Sequence, residues 1–402
     1  MIEDWIQDTT GKNWSWYVKR LAGNDTLLTG GHQAGPYLPR QVIFDLFPSV
    51  AKATTLNPRA HFPVVIDSHA HPEQIVTAIW YNNKIIGDKT RDECRVTNWG
   101  GQSSPLLDPE ATGSICIFAF NHQENSDAQA CRLWICESLQ EEEILETITG
   151  SIEPGEWLYK STDSHFVKQT SNLRPDPCKL DEVAIKTEWG ERFPNGLEIV
   201  DKVLRLLPNS VKDNPDKRLI ARRNCEFSVF QSVEERFFLS KVRQGFSTID
   251  EFTDHANSLM NRRKSRSGRS LELHAKAIFS EEGLTKFEHD VVSERKKRPD
   301  FLFPSQEAYQ DNSFPVSKLR MLAAKTTCKD RWRQVISEAD RIDKKHLLTL
   351  QEGVSLNQYK EMQEAGIILV VPSPLHKKYH KDIRPDLMFF RDFVTETKLL
   401  VS

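Results

Sequence analysis

The stretch from Arg298 to Asp340 constrains this 402-residue chain more than any other. It opens with Arg-Pro-Asp-Phe-Leu-Phe-Pro, in which Asp300 leads the apolar run Phe301, Leu302, Phe303 and Pro304 closes it. After a polar gap, the mostly apolar run Leu319 to Ala324 delivers Lys325 at its end. Short apolar runs bounded by breaker residues read as strands. Beyond them Trp332, Val335, Ile336, Ala339 and Ile342 recur at i, i+3, i+4, i+7 and i+10, the period of a one-sided helix. The expected order is strand, excursion, strand, helix, with the apolar stripe against a core. On that helix Arg331 and Glu338, seven residues apart, project together from a different face.

A carboxylate on one strand, a lysine on its neighbour and a second carboxylate from an adjoining helix form a coherent chemical set. Two carboxylates hold Mg²⁺ through oxygen. The metal generates a hydroxide nucleophile and neutralises charge on a phosphodiester, while a lysine positions or helps deprotonate the attacking water. Asp300, Lys325 and Glu338 can fill these places. The same residue types also occur as solvated surface charges in α/β domains, and the generic Pro-Asp…(Asp/Glu)-x-Lys pattern is loose. Ala323 stands where that pattern puts an acid, two residues before the lysine. The second carboxylate must therefore come from Glu338.

The runs Arg298-Pro-Asp-Phe-Leu-Phe-Pro-Ser305, Ala324-Lys-Thr-Thr-Cys-Lys-Asp-Arg-Trp-Arg-Gln334 and Leu350-Gln-Glu-Gly-Val-Ser-Leu356 resemble the catalytic half of the EcoRII family of restriction endonucleases. In the wider group that cuts sites framed by CC and GG, a Glu thirteen residues after the lysine replaces the missing acid; Glu338 lies thirteen beyond Lys325. The resemblance covers essentially the whole chain. It implies a type IIE enzyme of the PD-(D/E)XK superfamily that cleaves double-stranded DNA at 5′-CCWGG. Asp300 and Glu338 would hold Mg²⁺, Lys325 would position the water, and Glu272 would support the site. Lys329, Asp330 and Arg331 would read the CC/GG pairs in the major groove, where Arg suits guanine and a carboxylate suits cytosine N4. A site cut on both strands needs two active sites, hence a twofold homodimer. A functionally paired DNA methyltransferase is implied as well. The alternative is a DNA-binding regulator that keeps the fold without catalysis.

The chain is long enough for two or three domains with sizeable cores. Its net charge of −3, with 28% charged residues, confines any nucleic-acid contact to local patches. Met-Ile-Glu-Asp-Trp at the start lacks a basic segment followed by an apolar one. The longest strongly apolar run, Ile367 to Val371, is too short to span a bilayer. Seven cysteines without paired spacing suit a reducing cytosol, and Cys131 and Cys136 read as buried small hydrophobes. A cytoplasmic protein with no membrane partner is expected.

Residues 1 to about 170 read mostly as strands. Gln41–Phe47, Val64–Ile66, Ala78–Tyr81, Ser114–Phe120, Leu133–Cys136 and Glu156–Tyr159 are short runs separated by turn signals, the pattern of a barrel or sandwich. Two loops concentrate polar chemistry. Thr29-Gly-Gly-His-Gln-Ala-Gly-Pro-Tyr37 has glycines that let the backbone approach a partner. Lys89-Thr-Arg-Asp-Glu-Cys-Arg95 offers three cations and two carboxylates near Trp99. Solvated hairpin loops would look much the same. By resemblance they are the recognition arms of the family's effector domain, a B3-like DNA-binding pseudobarrel. That assigns DNA contacts to His32, Tyr37, Lys89, Arg91, Glu93 and Arg95, with Cys94 where the relative has a lysine. Val64-Val-Ile-Asp-Ser-His-Ala-His-Pro72 imitates the His-x-His metal strand of amidohydrolase barrels. The chain beyond it does not supply that barrel's further β/α units.

Pro175 and Pro177 favour an extended connection between the halves. The expected domains are an effector domain over 1–172, a linker over 173–180 and a catalytic domain over 181–402. In the second half, Leu197 to Leu207 has helical periodicity and a longer helix runs from about Asn224 through Val242. Arg223 and Phe227, four apart, share a helix face. In the wider group residues at these places form a pocket for a flipped base, which needs a stacking surface and a polar partner; the relative has a tyrosine where Phe227 stands. Asn261-Arg-Arg-Lys-Ser-Arg-Ser-Gly-Arg-Ser270, including Arg262 and Arg263, reads as a solvated loop or as a phosphate seat before a helix over Leu271 to Glu282. The core-facing residues of that helix are Leu271, His274, Ala275 and Ile278. Two more strands, Leu347–Leu350 and Ile367–Val371, with a helix between them, complete a mixed sheet flanked by helices.

Overall fold

The computed structural model describes residues 1–30, 35–52, 54–123, 125–161, 167–168, 176–208, 214–290, 293 and 298–402. The chain forms two compact units. One comprises Met1–Thr170 with the short segments Gln351–Tyr359 and Lys377–Pro385, and the other comprises Ser171–Leu350, Lys360–His376 and Asp386–Ser402. The expected linker, 173–180, lies partly outside the described residues.

The first unit runs α1 (Ile2–Asp8), β1 (Trp14–Arg20), α2 (Arg40–Leu46), β2 (Arg59–Ile66), β3 (His71–Tyr81), α3 (Asn83–Ile86), β4 (Glu93–Thr97), β5 (Ile115–Asn121), β6 (Ala130–Ile135), α4 (Leu139–Thr149), β7 (Trp157–Lys160) and β8 (Val167–Lys168). Its strands form one curled eight-stranded sheet in the order β4-β3-β2-β6-β5-β1-β7-β8. The β2–β6 pair is parallel and the other pairs are antiparallel. Inside it Phe47, Phe62, Phe118 and Phe120 are wholly buried, with Phe47 and Phe62 rings 4.7 Å apart. The segments from the C-terminal half are held by hydrogen bonds within this unit. Gly23 N–H donates to the Glu352 carbonyl at 2.7 Å, and Ser355 Oγ donates to Glu110 at 2.7 Å.

One expected strand is a helix. Gln41–Phe47 lies in and just after α2, because Val42, Ile43, Leu46 and Phe47 are buried together at helical spacing behind the extended Pro39. A short apolar run cannot distinguish the two periods by itself.

The second unit begins with α5 (Glu182–Trp189), α6 (Gly196–Leu206), α7 (Pro215–Gln244) and α8 (Ile249–Glu281). It continues with β9 (Glu288–His289), β10 (Phe301–Phe303), α9 (Gln306–Gln310), β11 (Arg320–Ala324), α10 (Trp332–Ile336) and β12 (Lys345–Leu348). After α11 (Leu356–Glu364) come β13 (Ile367–Val370) and α12 (Phe390–Val401). The sheet order is β13-β12-β11-β10-β9. β11, β12 and β13 are parallel, and β10 is antiparallel to both β9 and β11. The mixed sheet is as expected, with β9 as a strand too short to announce itself.

Phe279 of α8 is the keystone of this core: its ring lies 5.2 Å from Phe301, 5.7 Å from Phe303 and 5.8 Å from Phe390 of α12. The N-terminal turn of α7 is tied in by buried Asp216. Its carboxylate accepts backbone N–H bonds from Ser373 at 2.8 Å, Phe390 at 3.2 Å and Arg391 at 3.0 Å.

Two helical expectations are corrected. The basic run 261–270 is neither a loop nor a helix N-terminus, since α8 passes through it without a break. Arg, Lys and Ser tolerate a helix interior, and the lone Gly268 weakens it by only about 1 kcal/mol. The helix after Lys325 is shorter than expected. It ends at Ile336, and Ala339 adopts φ +49. Arg331 and Glu338 therefore do not share a helix face, although Ala339 and Ile342 still reach the core.

A cysteine expectation also changes. Cys178 and Cys225, 47 residues apart, are joined by a disulfide beside α7. That pairing depends on tertiary proximity and leaves no trace in the spacing. Cys131 and Cys136 are buried, as read, and take no part in that disulfide. No helix among the described residues is long and apolar enough to cross a membrane.

Candidate active site

Register brings Asp300 and Lys325 together. In the antiparallel β10–β11 pair, Phe301 faces Leu322, so Asp300, one residue before β10, lies beside the end of β11. Its Oδ2 accepts the Ala324 N–H at 2.7 Å and the Lys325 Nζ at 3.0 Å. The Lys325 N–H donates to the Leu348 carbonyl at 2.9 Å, which extends the β11–β12 pairing by one residue. Lys325 is thus anchored through its main chain and tethered through its ammonium.

Glu338 arrives by another route. It follows α10 at a bend stabilised by its N–H bond to the Val335 carbonyl at 3.0 Å. Its carboxyl is pushed up to about 7, first by burial and further by the Asp300 charge, against the opposing pull of Lys325 and Lys345. Among the described residues Glu338 Oε2 is buried without a hydrogen-bond partner. Burial pulls the Lys325 pKa down, but Asp300, Glu338 and Glu272 outweigh it and hold the ammonium above its ordinary value. Glu272, from α8, accepts from His289 Nε2 at 3.2 Å. Asp300, Lys325, Glu338 and Glu272 therefore share one site. His289 was missed in the sequence because nothing marks a two-residue strand as part of a site.

Lys329, Asp330 and Arg331 occupy the turn between Lys325 and α10, each half-buried. Arg263 makes a two-point ion pair with Glu234 at 2.7 and 2.6 Å, and the exposed Arg262 sits over the Phe193 ring at 4.4 Å. Both lie on α8 near α7 and α6, not at a helix start. Arg223 and Phe227 lie one turn apart on α7. Arg223 is buried and pairs with Glu226 at 3.2 Å, while half-buried Phe227 has the Arg266 guanidinium 5.2 Å from its ring. Burial drives the Glu226 pKa up, but His274, Arg223 and Arg266 hold it below its ordinary value. Burial holds the His274 pKa below its ordinary value, against the opposing pull of Glu226.

In the other unit, β4 alternates as a half-buried edge strand should. Glu93 and Arg95 face outward, and Cys94 and Val96 are buried. Arg91 and Arg95 share the Glu93 carboxylate, Arg95 at 3.0 Å, and Arg91 also lies 3.8 Å over the Tyr81 ring. Burial raises the Glu93 pKa, and the two guanidinium hydrogen bonds overcome that to leave it lowered. Lys89 is exposed in the preceding loop. Cys94 points inward, with its thiol pushed up to about 11 by burial. On the other arm, Tyr37 is exposed, and its N–H donates to Asp25 at 3.2 Å. His32 lies outside the described residues. Gly35, at φ +147, lies so close to Trp99 that an added Cβ would meet the indole at 2.5 Å.

The His-x-His decoy does not assemble. His69 ends a short 3-10 turn and pairs with Glu137 at 3.0 Å, whereas His71 begins β3. The two imidazoles do not share one strand. Among the described residues no group of three or more His, Cys, Asp and Glu is arranged to hold a metal ion.

Comparison with known proteins covers both halves. Residues 10–164 match the family described as restriction endonuclease EcoRII, N-terminal, and residues 230–394 match EcoRII C terminal. The chain is 42% identical over 398 residues to the type II restriction enzyme EcoRII of Escherichia coli, spanning 98% of this chain and 97% of that one. Two solved structures are also similar. Metal-depleted Ecl18kI with uncleaved, modified DNA has 21% identity and a TM-score of 0.43, over 55% of this chain and 82% of that one. Metal-depleted Ecl18kI with uncleaved DNA has 20% identity and a TM-score of 0.44, over 57% and 85%.

Proposed function

The chain belongs to the EcoRII family of type II restriction enzymes and is a site-specific deoxyribonuclease, and we propose that it cleaves double-stranded DNA at 5′-CCWGG in a Mg²⁺-dependent reaction, activated when its N-terminal half binds a further copy of the site. One observation carries the catalytic part. Lys325 Nζ sits 3.0 Å from Asp300, with Glu338 and Glu272 close enough to hold it charged.

A hard divalent cation fits the residues present. Asp300 and Glu338 offer carboxylate oxygens, and one oxygen of Glu338 is buried without a hydrogen-bond partner among the described residues. These two would hold Mg²⁺, which when bound supplies water activation and charge neutralisation at the phosphate. Lys325 contributes as a cation: its ammonium orients a water or a phosphate oxygen by donating from Nζ, because the surrounding carboxylates oppose its deprotonation. Glu272 maintains that field.

Lys329, Asp330 and Arg331 present donors and an acceptor suited to guanine and cytosine edges. Arg262 and Arg263 add to the DNA-binding surface. Phe227 supplies a stacking face for a flipped base, with Arg223 as its polar partner. In the N-terminal half, Tyr37, Lys89 and the Arg91–Glu93–Arg95 cluster, with His32, contact effector DNA. The N-terminal half restrains cleavage until it is occupied, and two chains act as a homodimer on the two strands. A paired methyltransferase protects the host sites in the cytoplasm where the enzyme works.

Digestion of a plasmid carrying several CCWGG sites, with Mg²⁺ and mapping of the ends, tests this reading. Cuts on the 5′ side of the first cytosine of CCWGG, abolished by Lys325→Ala, are expected. Cuts at another CC…GG site would sink the specificity and keep the mechanism. Cleavage retained by Lys325→Ala would remove that residue from its role.

A further inference from the structure

We propose that His289 is a positioning residue for DNA cleavage, holding the Glu272 carboxylate in place beside Lys325. This rests on the nuclease reading above and extends it to a residue outside the Asp300–Lys325–Glu338 set.

The backbone fixes where His289 stands. It lies on β9 opposite Phe301, the residue directly after Asp300. The Asp290 N–H donates to the Asp300 carbonyl at 3.1 Å, so the main chain carrying Asp300 is tied on both sides of this register to the chain carrying His289. From there Nε2 reaches Glu272 Oε2 at 3.2 Å. Both side chains are largely buried, at 10% and 16% exposure, which limits the rotamers open to either.

The imidazole is also braced. Its centroid lies 4.9 Å from the Phe301 ring, which is wholly buried and packs 5.2 Å from Phe279. Phe279 is on α8, two helical turns beyond Glu272. Helix, aromatic pair and imidazole thus close a loop of contacts whose last link is the bond to Glu272. At 3.2 Å that link needs the proton on Nε2, so the ring acts as donor and the carboxylate as acceptor.

The consequence lies in the crowding of like charges. Asp300, Glu338 and Glu272 all act on one ammonium, and three carboxylates around one cation repel one another. A Glu272 carboxylate without its donor is free to turn onto Lys325 and compete with Asp300. The imidazole removes that choice by satisfying one oxygen of Glu272 where it stands, as outer hydrogen bonds orient the groups of catalytic sites generally.

The test uses the full-length protein and two replacements. His289→Phe keeps an aromatic ring on Phe301 and loses the donor; His289→Gln keeps an amide N–H near the Nε2 position. Single-turnover cleavage of a site-bearing duplex with Mg²⁺ reads the chemical step, and duplex affinity with Ca²⁺ in its place reads binding. His289→Phe is expected to slow cleavage roughly 10–100-fold with affinity unchanged, while His289→Gln stays within about threefold of the parent. In a Glu272→Gln background, His289→Phe should slow cleavage no further.

Wild-type rates in His289→Phe would overturn the inference. So would equal losses in both variants accompanied by lowered melting temperatures, or fully additive losses with Glu272→Gln. A parent protein that cuts no DNA would remove the nuclease reading along with this one, whereas a cutting parent with an unaffected His289→Phe removes this one alone.

Discussion

Glu338 bears the sharpest electrostatic conflict in the candidate site. Its carboxyl titrates at about 7 because burial disfavours the anion and Asp300 repels it. The folded chain therefore binds this proton more tightly than the unfolded chain, whose reference is 4.5. That contribution is fully present below pH 4.5 and is lost as pH rises through about 7. Glu338→Gln keeps the shape without the charge. In EDTA at pH 8 it is expected to be more stable than the parent by about 3 kcal/mol, with no advantage at pH 4. Thermal melts at the two pH values check this, and an unchanged difference between them would refute it. Added Mg²⁺ should raise the melting temperature of the parent more than that of the variant. Asp300 and Lys325 could be read from the sequence because each sits at the end of an apolar run. Glu338 was reached through family spacing and not through helix geometry, since the helix meant to carry it stops short. His289 could not be read at all: its partner lies on a distant helix.

At the scale of elements, buried polar ties decide positions that apolar periodicity leaves open. Asp216 is the clearest. It looks like an ordinary acidic residue in the first turn of α7, yet three backbone N–H groups from the start of α12 and the 3-10 turn after β13 converge on it. Asp216→Ala removes the acceptor of all three donors, of which the Phe390 N–H is buried, and a loss of about 3 kcal/mol is expected. Urea unfolding would measure it; a loss under about 1 kcal/mol would mean that the donors find other partners. Periodicity located β5, β6, β7, α6, β12 and β13 within a few residues, and only the C-terminal ends of the longer β2 and β3. It failed at α2, where a seven-residue apolar run fits either period, and at α8, where a strongly polar segment continues a helix because its ends are packed. Residues 261–270 illustrate the second failure: composition suggested a loop, but Arg266 and Ser270 are buried.

For the whole molecule, the two units pose a question of coupling. Cleavage of DNA with a single CCWGG site is expected to be slow and to accelerate when a short duplex carrying the site is added. Arg95→Ala should abolish most of that acceleration, because Arg95 faces outward on β4 beside Glu93. Initial rates on a one-site plasmid, with and without duplex, decide it. Equal stimulation in parent and variant would remove Arg95 from effector binding, and absence of stimulation in the parent would refute activation by a second site. Charge alone would not have suggested a DNA-binding chain, since the net charge is −3 and the relevant cations are held in small paired clusters.

Local order in the sequence located most of the strands, some of the helices and two residues of the candidate site, because apolar period and chain breakers act over a few residues. The family motifs pointed to Glu338 and to a two-domain chain. Tertiary structure alone decided what depends on distant segments meeting. It set the Cys178–Cys225 bond, the three-way tie on Asp216, the Glu272–His289 contact and the burial that raises Glu338. Each of these is a pairing or desolvation between groups far apart in the chain, and no local pattern records which partners packing will bring together.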